Sequence, residues 1–113
     1  MDCHAFATEW EAAWNAHDLD RVMAYFSDDV VFRSHKAMRL VGQGELHGRA
    51  ALRDYWSKAL TAQPDLSFVV VDVFTGHAMM VITYQNQHGV LAAETLRFGM
   101  DGLIVEASAC HRG

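Results

Sequence analysis

Glu94 is the residue whose type and position most invite chemistry. It lies in the run Leu91-Ala-Ala-Glu94-Thr-Leu96-Arg-Phe98. In a strand its side chain shares a face with Ala92 and Leu96. A carboxyl group on an apolar face loses hydration, which raises its pKa and suits it to work as a general acid or base. The structural alternative is a glutamate held by a hydrogen bond to Thr83 or to a tryptophan N–H. The other proton carriers are the seven histidines, at 4, 17, 35, 47, 77, 88 and 111. None lies three or four residues from another and there is no His-x-His, so no metal site is expected. His77 and His88 fall in turn sequences. His35 follows the first strand and His111 shares the Glu94 face, so these two are the candidate catalytic partners of Glu94. Ser34 shares the face of Phe32 and is expected to line the interior with it.

Other chemistries find little support. There is no Gly-x-Ser-x-Gly, and Gly42-Gln43-Gly44 with Gly48 is not followed by the Lys-Ser/Thr of a phosphate loop. Asp18, Asp20, Asp28 and Asp29 read as helix caps and solvated turns rather than a cation site. Nine Lys and Arg against fourteen Asp and Glu give a net charge of −5, which excludes nucleic-acid binding through bulk charge. With 51% hydrophobic and 20% charged residues, the 113-residue chain is a single folding domain, not a disordered one. No apolar run approaches the roughly 20 residues of a membrane span. Met1-Asp2-Cys3-His4 does not begin a signal peptide. Cys3 and Cys110 are expected as free thiols, and the protein as cytoplasmic.

The elements that must position these residues follow from periodicity. His4 to Ala16 reads as a helix with Phe6, Trp10, Ala13, Trp14 and His17 at spacings of three and four. Asp18 caps a second, short helix that places Leu19, Val22, Met23 and Phe26 on one face. Val30 to Ser34 reads as a strand. Residues 35 to 48 read as an irregular segment with room for a short strand. Arg49 to Ala62 reads as a helix with Leu52, Tyr55, Trp56, Ala59 and Leu60 on one stripe. Four strands close the chain: Leu66 to Thr75, Ala78 to Gln87, Val90 to Met100 and Leu103 to His111. The order α-α-β-α-β-β-β-β argues an α+β domain with helices on one face of an antiparallel sheet.

Two-residue turns at His88-Gly89 and Asp101-Gly102 set the faces. Glu94 then lies opposite Thr83 and Ala109, and Arg97 opposite Glu106. Met79, Val81, Thr83, Val105, Ala107, Ala109 and His111 join Glu94 on the inner face. Met80, Ile82, Tyr84, Ala93 and Cys110 fall on the outer face, apolar enough to predict a homodimer through it. A one-residue slip would invert these assignments.

Two stretches, Trp10-Glu-Ala-Ala-Trp14-Asn15-Ala-His-Asp18-Leu19-Asp20 and Phe26-Ser-Asp28-Asp29-Val30-Val31-Phe32, resemble the opening of SnoaL-like domains of the nuclear transport factor 2-like superfamily. Gly48-Arg-Ala-Ala-Leu52-Arg-Asp-Tyr55-Trp56 is similar to the family's glycine-plus-helix motif. The resemblance implies a cystatin-like cone, a curved sheet wrapped around a long helix with a deep pocket inside. Homodimers through the outer sheet face are common in such proteins, whose members include steroid isomerases, polyketide cyclases, epoxide hydrolases, dehydratases and binding modules. Steroid isomerases carry Tyr at the position of Trp10, a general-base Asp at that of Ser34 and a second acid at that of Glu94. Cyclases place an acid/base carboxylate on the Glu94 strand.

The expectation is a domain that binds a small hydrophobic molecule and catalyses a proton transfer such as isomerisation, cyclisation or dehydration. Glu94 is the acid/base, His35 or His111 its partner. Trp10, Trp14, Phe32, Ser34, Tyr55, Trp56 and Leu96 line the ligand site. No cofactor is needed. The alternative is a non-catalytic ligand-binding or dimerisation module of the same fold.

Overall fold

The computed structural model describes residues 1–113. Helix α1 spans Cys3–Asn15, with the Asp2 carboxylate accepting from Ala5 N–H at its start. Helix α2 covers Leu19–Met23 and is capped by Asp18, as its sequence implies. Strand β1 runs Phe26–Ser34, then α3 His35–Val41, β2 Glu45–His47 and α4 Arg49–Ala62. Strands β3 Val69–Gly76, β4 Met79–Gln85, β5 Leu91–Phe98 and β6 Ile104–His111 complete the chain.

The six strands form one curved sheet in the order β2-β1-β6-β5-β4-β3. All neighbours are antiparallel except β1 and β6, the second and third strands in that order, which run parallel. Helix α4 packs on β1 and β2, and α1 on β3. Between helices and sheet lies one core of 26 buried residues, in which Trp10, Phe26 and Phe32 are almost wholly removed from water. No helix is long and apolar enough to cross a membrane.

Three expectations need correction. Residues 35 to 48 are ordered, as α3 and β2. Ser34 accepts hydrogen bonds from Lys36 and Ala37 N–H at the head of α3, and Gly42 ends it at φ +78°. Phe26 belongs to β1 rather than to the second helix, which stops at Met23.

The third correction inverts a strand. The β4–β5 connection is five residues long, not two, because Gln85 pairs with Leu91. Asn86 organises it: its side-chain oxygen accepts from His88 and Val90 N–H, and its carbonyl from Gly89 N–H. An odd loop in place of an even one flips every side chain of β4. Met80, Ile82 and Tyr84 are therefore buried, while Met79, Val81 and Thr83 turn away from the core. The β5–β6 register stands as expected around Glu94, which pairs with Ala109, and Arg97 pairs with Glu106. A bulge between Arg97 and Phe98 then brings Ile104 into the core in place of Val105.

Candidate functional site

The concave side of the sheet and the helices enclose a pocket of about 580 Å³, its open mouth included. Its floor is aromatic. Trp14 comes from α1, Tyr55 and Trp56 from α4, and Phe32 from β1. Phe68 and Tyr84 close the other side with ring centroids 4.5 Å apart. On the sheet side the small Ala109 of β6, paired with Glu94, lines the space and leaves room that a large side chain there would fill.

Glu94 projects from β5 into this aromatic enclosure and is only 7% exposed. Its Oε1 accepts a hydrogen bond of 3.1 Å from the Tyr84 hydroxyl. Burial pushes its carboxyl up to about 8, against a smaller downward pull from that bond. The group is thus mostly protonated at neutral pH. Burial, then the charge of Glu94, lifts the Tyr84 phenol well above its ordinary range. Burial also raises Tyr55; the nearby Ser34 hydroxyl offsets part of that rise and Glu94 adds to it.

The mouth has a different character. Lys36 of α3 and His111 of β6 line it, with Gln63, Asn86 and Gln87. His111 is driven down to about 4, first by burial and then by Lys36, His35 and Arg39, so its imidazole is neutral. Burial and Arg39 lower the Lys36 ammonium as well. Two buried side-chain atoms lack a hydrogen-bond partner, His111 Nδ1 and Gln87 Oε1, and both residues line this pocket. Because Ala92 pairs with His111 and Glu94 with Ala109, the carboxyl and the imidazole are diagonal neighbours on one sheet face. No three His, Cys, Asp or Glu side chains converge into a metal-binding group.

Of the residues expected at the site, the pocket brings together Glu94, His111, Trp14, Phe32, Ser34, Tyr55 and Trp56. Three lie elsewhere. His35 is exposed at the start of α3, its ring 5.3 Å from that of His111 but outside the lining. Trp10 is a core residue, stacked on Phe68 at 5.4 Å and edge-on to Tyr84 at 5.1 Å, one layer behind the wall. Leu96 is fully buried in the core two positions beyond Glu94. The partner of Glu94 is Tyr84, not Thr83 or a tryptophan; a two-residue turn at His88-Gly89 would point Tyr84 outward, and the five-residue loop points it in. Phe68, Lys36, Gln63 and Gln87 also line the pocket, with no motif in the sequence to mark them. Ser34 followed by Lys36 and closed by Gly42 was the one available signal for α3.

The sequence model of the SnoaL-like domain matches residues 7–107. A SnoaL-like protein of unknown function from Burkholderia thailandensis is 35% identical over 98% of this chain and 95% of its own, with a TM-score of 0.92. A nuclear transport factor 2-like protein of unknown function from Burkholderia pseudomallei is 17% identical, covering 99% of this chain and 92% of its own, at a TM-score of 0.78. A SnoaL-like family protein from Agrobacterium tumefaciens, provisionally called an isomerase, shares the fold at 15% identity and a TM-score of 0.75, with coverage of 98% and 97%. No curated protein matches the sequence. The family match over most of its length and the 35% identical structure establish that this chain belongs to the SnoaL-like domain family.

Proposed function

We propose that the pocket binds a small, largely apolar cyclic molecule bearing a carbonyl group and moves a proton on it. The observation that carries this reading is Glu94, a carboxyl buried among aromatic rings and left with Tyr84 as its hydrogen-bond partner. A protonated Glu94 donates to the carbonyl oxygen. The neutral His111 imidazole takes the proton from the adjacent carbon, giving an enol, a Glu94 carboxylate and a His111 cation. Return of a proton to a different carbon completes an isomerisation, and loss of a neighbouring hydroxyl as water completes a dehydration. Ser34 supplies no base, since its hydroxyl is engaged by α3. That engagement, with Trp10 sealed in the core, favours a proton-transfer set different from that of steroid isomerases. It also keeps a second reading in view, a binding module with no turnover. The same proposal includes a cytoplasmic homodimer paired through the outer sheet face; the unpaired Cys3 and Cys110 support a reducing setting.

The test is deuterium uptake at the carbon next to the carbonyl in a panel of cyclic ketones and enones in D2O. The protein accelerates uptake for at least one of them, and Glu94→Gln lowers that rate by roughly a hundredfold or more, the usual scale of acid–base catalysis. Equal rates in the two proteins remove Glu94 from the chemistry, and no acceleration across the panel favours the binding module.

A further inference from the structure

The protein carries a net charge of −5, yet the mouth of the pocket is cationic. Six of its nine Lys and Arg residues are in ion pairs. The three that are not are Lys36, Arg39 and Arg112. Lys36 and Arg39 stand on α3, and Arg112 follows His111. Lys36 lines the pocket itself and is half-buried. A shallower depression shares Lys36, Tyr55, Ala59 and Gln63 with the pocket and adds Arg39, so Lys36 stands within the pocket lining and Arg39 beside it. Helix α3 carries no acid, and Glu94, deeper in the pocket, pairs with Tyr84 rather than with Lys36.

A half-buried lysine on the pocket lining with no acid of the protein paired to it is a ready partner for an anionic group. We infer that the pocket is built for an anionic guest, an aromatic or alicyclic carboxylate whose ring lies among Trp14, Phe68 and Tyr84 and whose charged head meets Lys36 at the mouth. A single ammonium inside the lining matches a single negative charge. A phosphate dianion would keep one charge uncompensated, because Arg39 lines only the adjoining depression. This inference rests on the pocket being a ligand site, and is independent of whether a proton moves there.

Calorimetric titration at neutral pH and low salt, with benzoate, benzamide and phenyl phosphate as the probes, tests it. Benzoate binds roughly tenfold more tightly than its neutral isostere benzamide, the scale of one charged hydrogen bond. Lys36→Met removes that difference, Lys36→Arg keeps it, and Arg53→Met, a charge change on α4 outside the pocket, leaves it intact. Equal affinity for benzoate and benzamide in the wild type overturns the inference without needing any variant. So does a benzoate preference that survives Lys36→Met, or failure of both ring compounds to bind at millimolar concentration. Tighter binding of phenyl phosphate than of benzoate overturns the carboxylate assignment. A Glu94 carboxyl that titrates in the ordinary range would defeat the proton-transfer reading while leaving the benzoate preference standing.

Discussion

The proton on Glu94 bears on the stability of the fold. Its folded pKa of about 8 lies above the unfolded value of about 4.3, so the folded state holds the proton more tightly. The stability this contributes is complete below the unfolded pKa and is lost as pH rises through the folded one. His111 acts in the opposite sense. Its folded pKa of about 4 is depressed from 6.5, so its contribution is present above 6.5 and lost as pH falls toward 4. The two slopes oppose each other at mildly acidic pH, and above about 6.5 that of Glu94 acts without the opposing one. Chemical denaturation of the wild type should therefore show stability falling by roughly 2 kcal/mol between pH 6.5 and 8. Glu94→Gln, a neutral side chain of the same shape, should be level over that window. A wild-type curve as flat as the variant's contradicts the assignment.

At the scale of elements, what was legible and what was not have separate physical causes. The long helices α1 and α4 follow from apolar spacing; the loop around Asp101-Gly102 is odd rather than even, but the bulge between Arg97 and Phe98 restores the expected β5–β6 register, which places Glu94 and His111 together. Strand β4 reads backwards because one side chain, Asn86, turns a short hairpin into a five-residue loop, and period-two patterning has no memory of parity. Its apolar residues gave no warning, since Met79 and Val81 are as hydrophobic as Met80 and Ile82. Helix α3 is hidden because it buries only Ala37 fully and leaves Met38 and Leu40 exposed, so no stripe marks it. Its brackets, Ser34 and Gly42, were the readable part. The cap predicts that Ser34→Ala costs about 1 kcal/mol, or roughly 5 °C in Tm, by thermal denaturation. An unchanged Tm would mean that α3 does not depend on that hydroxyl.

For the whole molecule, inverting β4 changes which residues a second copy would meet. Tyr84, Ile82 and Met80 belong to the core, and the outer face now presents Val81 with Phe74 and Met79, the last two 55% and 41% exposed. Sedimentation at micromolar concentration is expected to give twice 12.6 kDa, and Phe74→Arg to shift the protein toward the monomer. A wild type that sediments at 12.6 kDa contradicts pairing through this face. On the inner face the fold holds one carboxyl group, Glu94, mostly protonated inside an aromatic pocket at neutral pH. The direct measurement is a carbon-13 NMR titration of the Glu94 carboxyl, identified by its absence in Glu94→Gln. A midpoint near 8 is expected; a midpoint near the ordinary value of about 4.3 would show that the carboxyl is ionised at neutral pH.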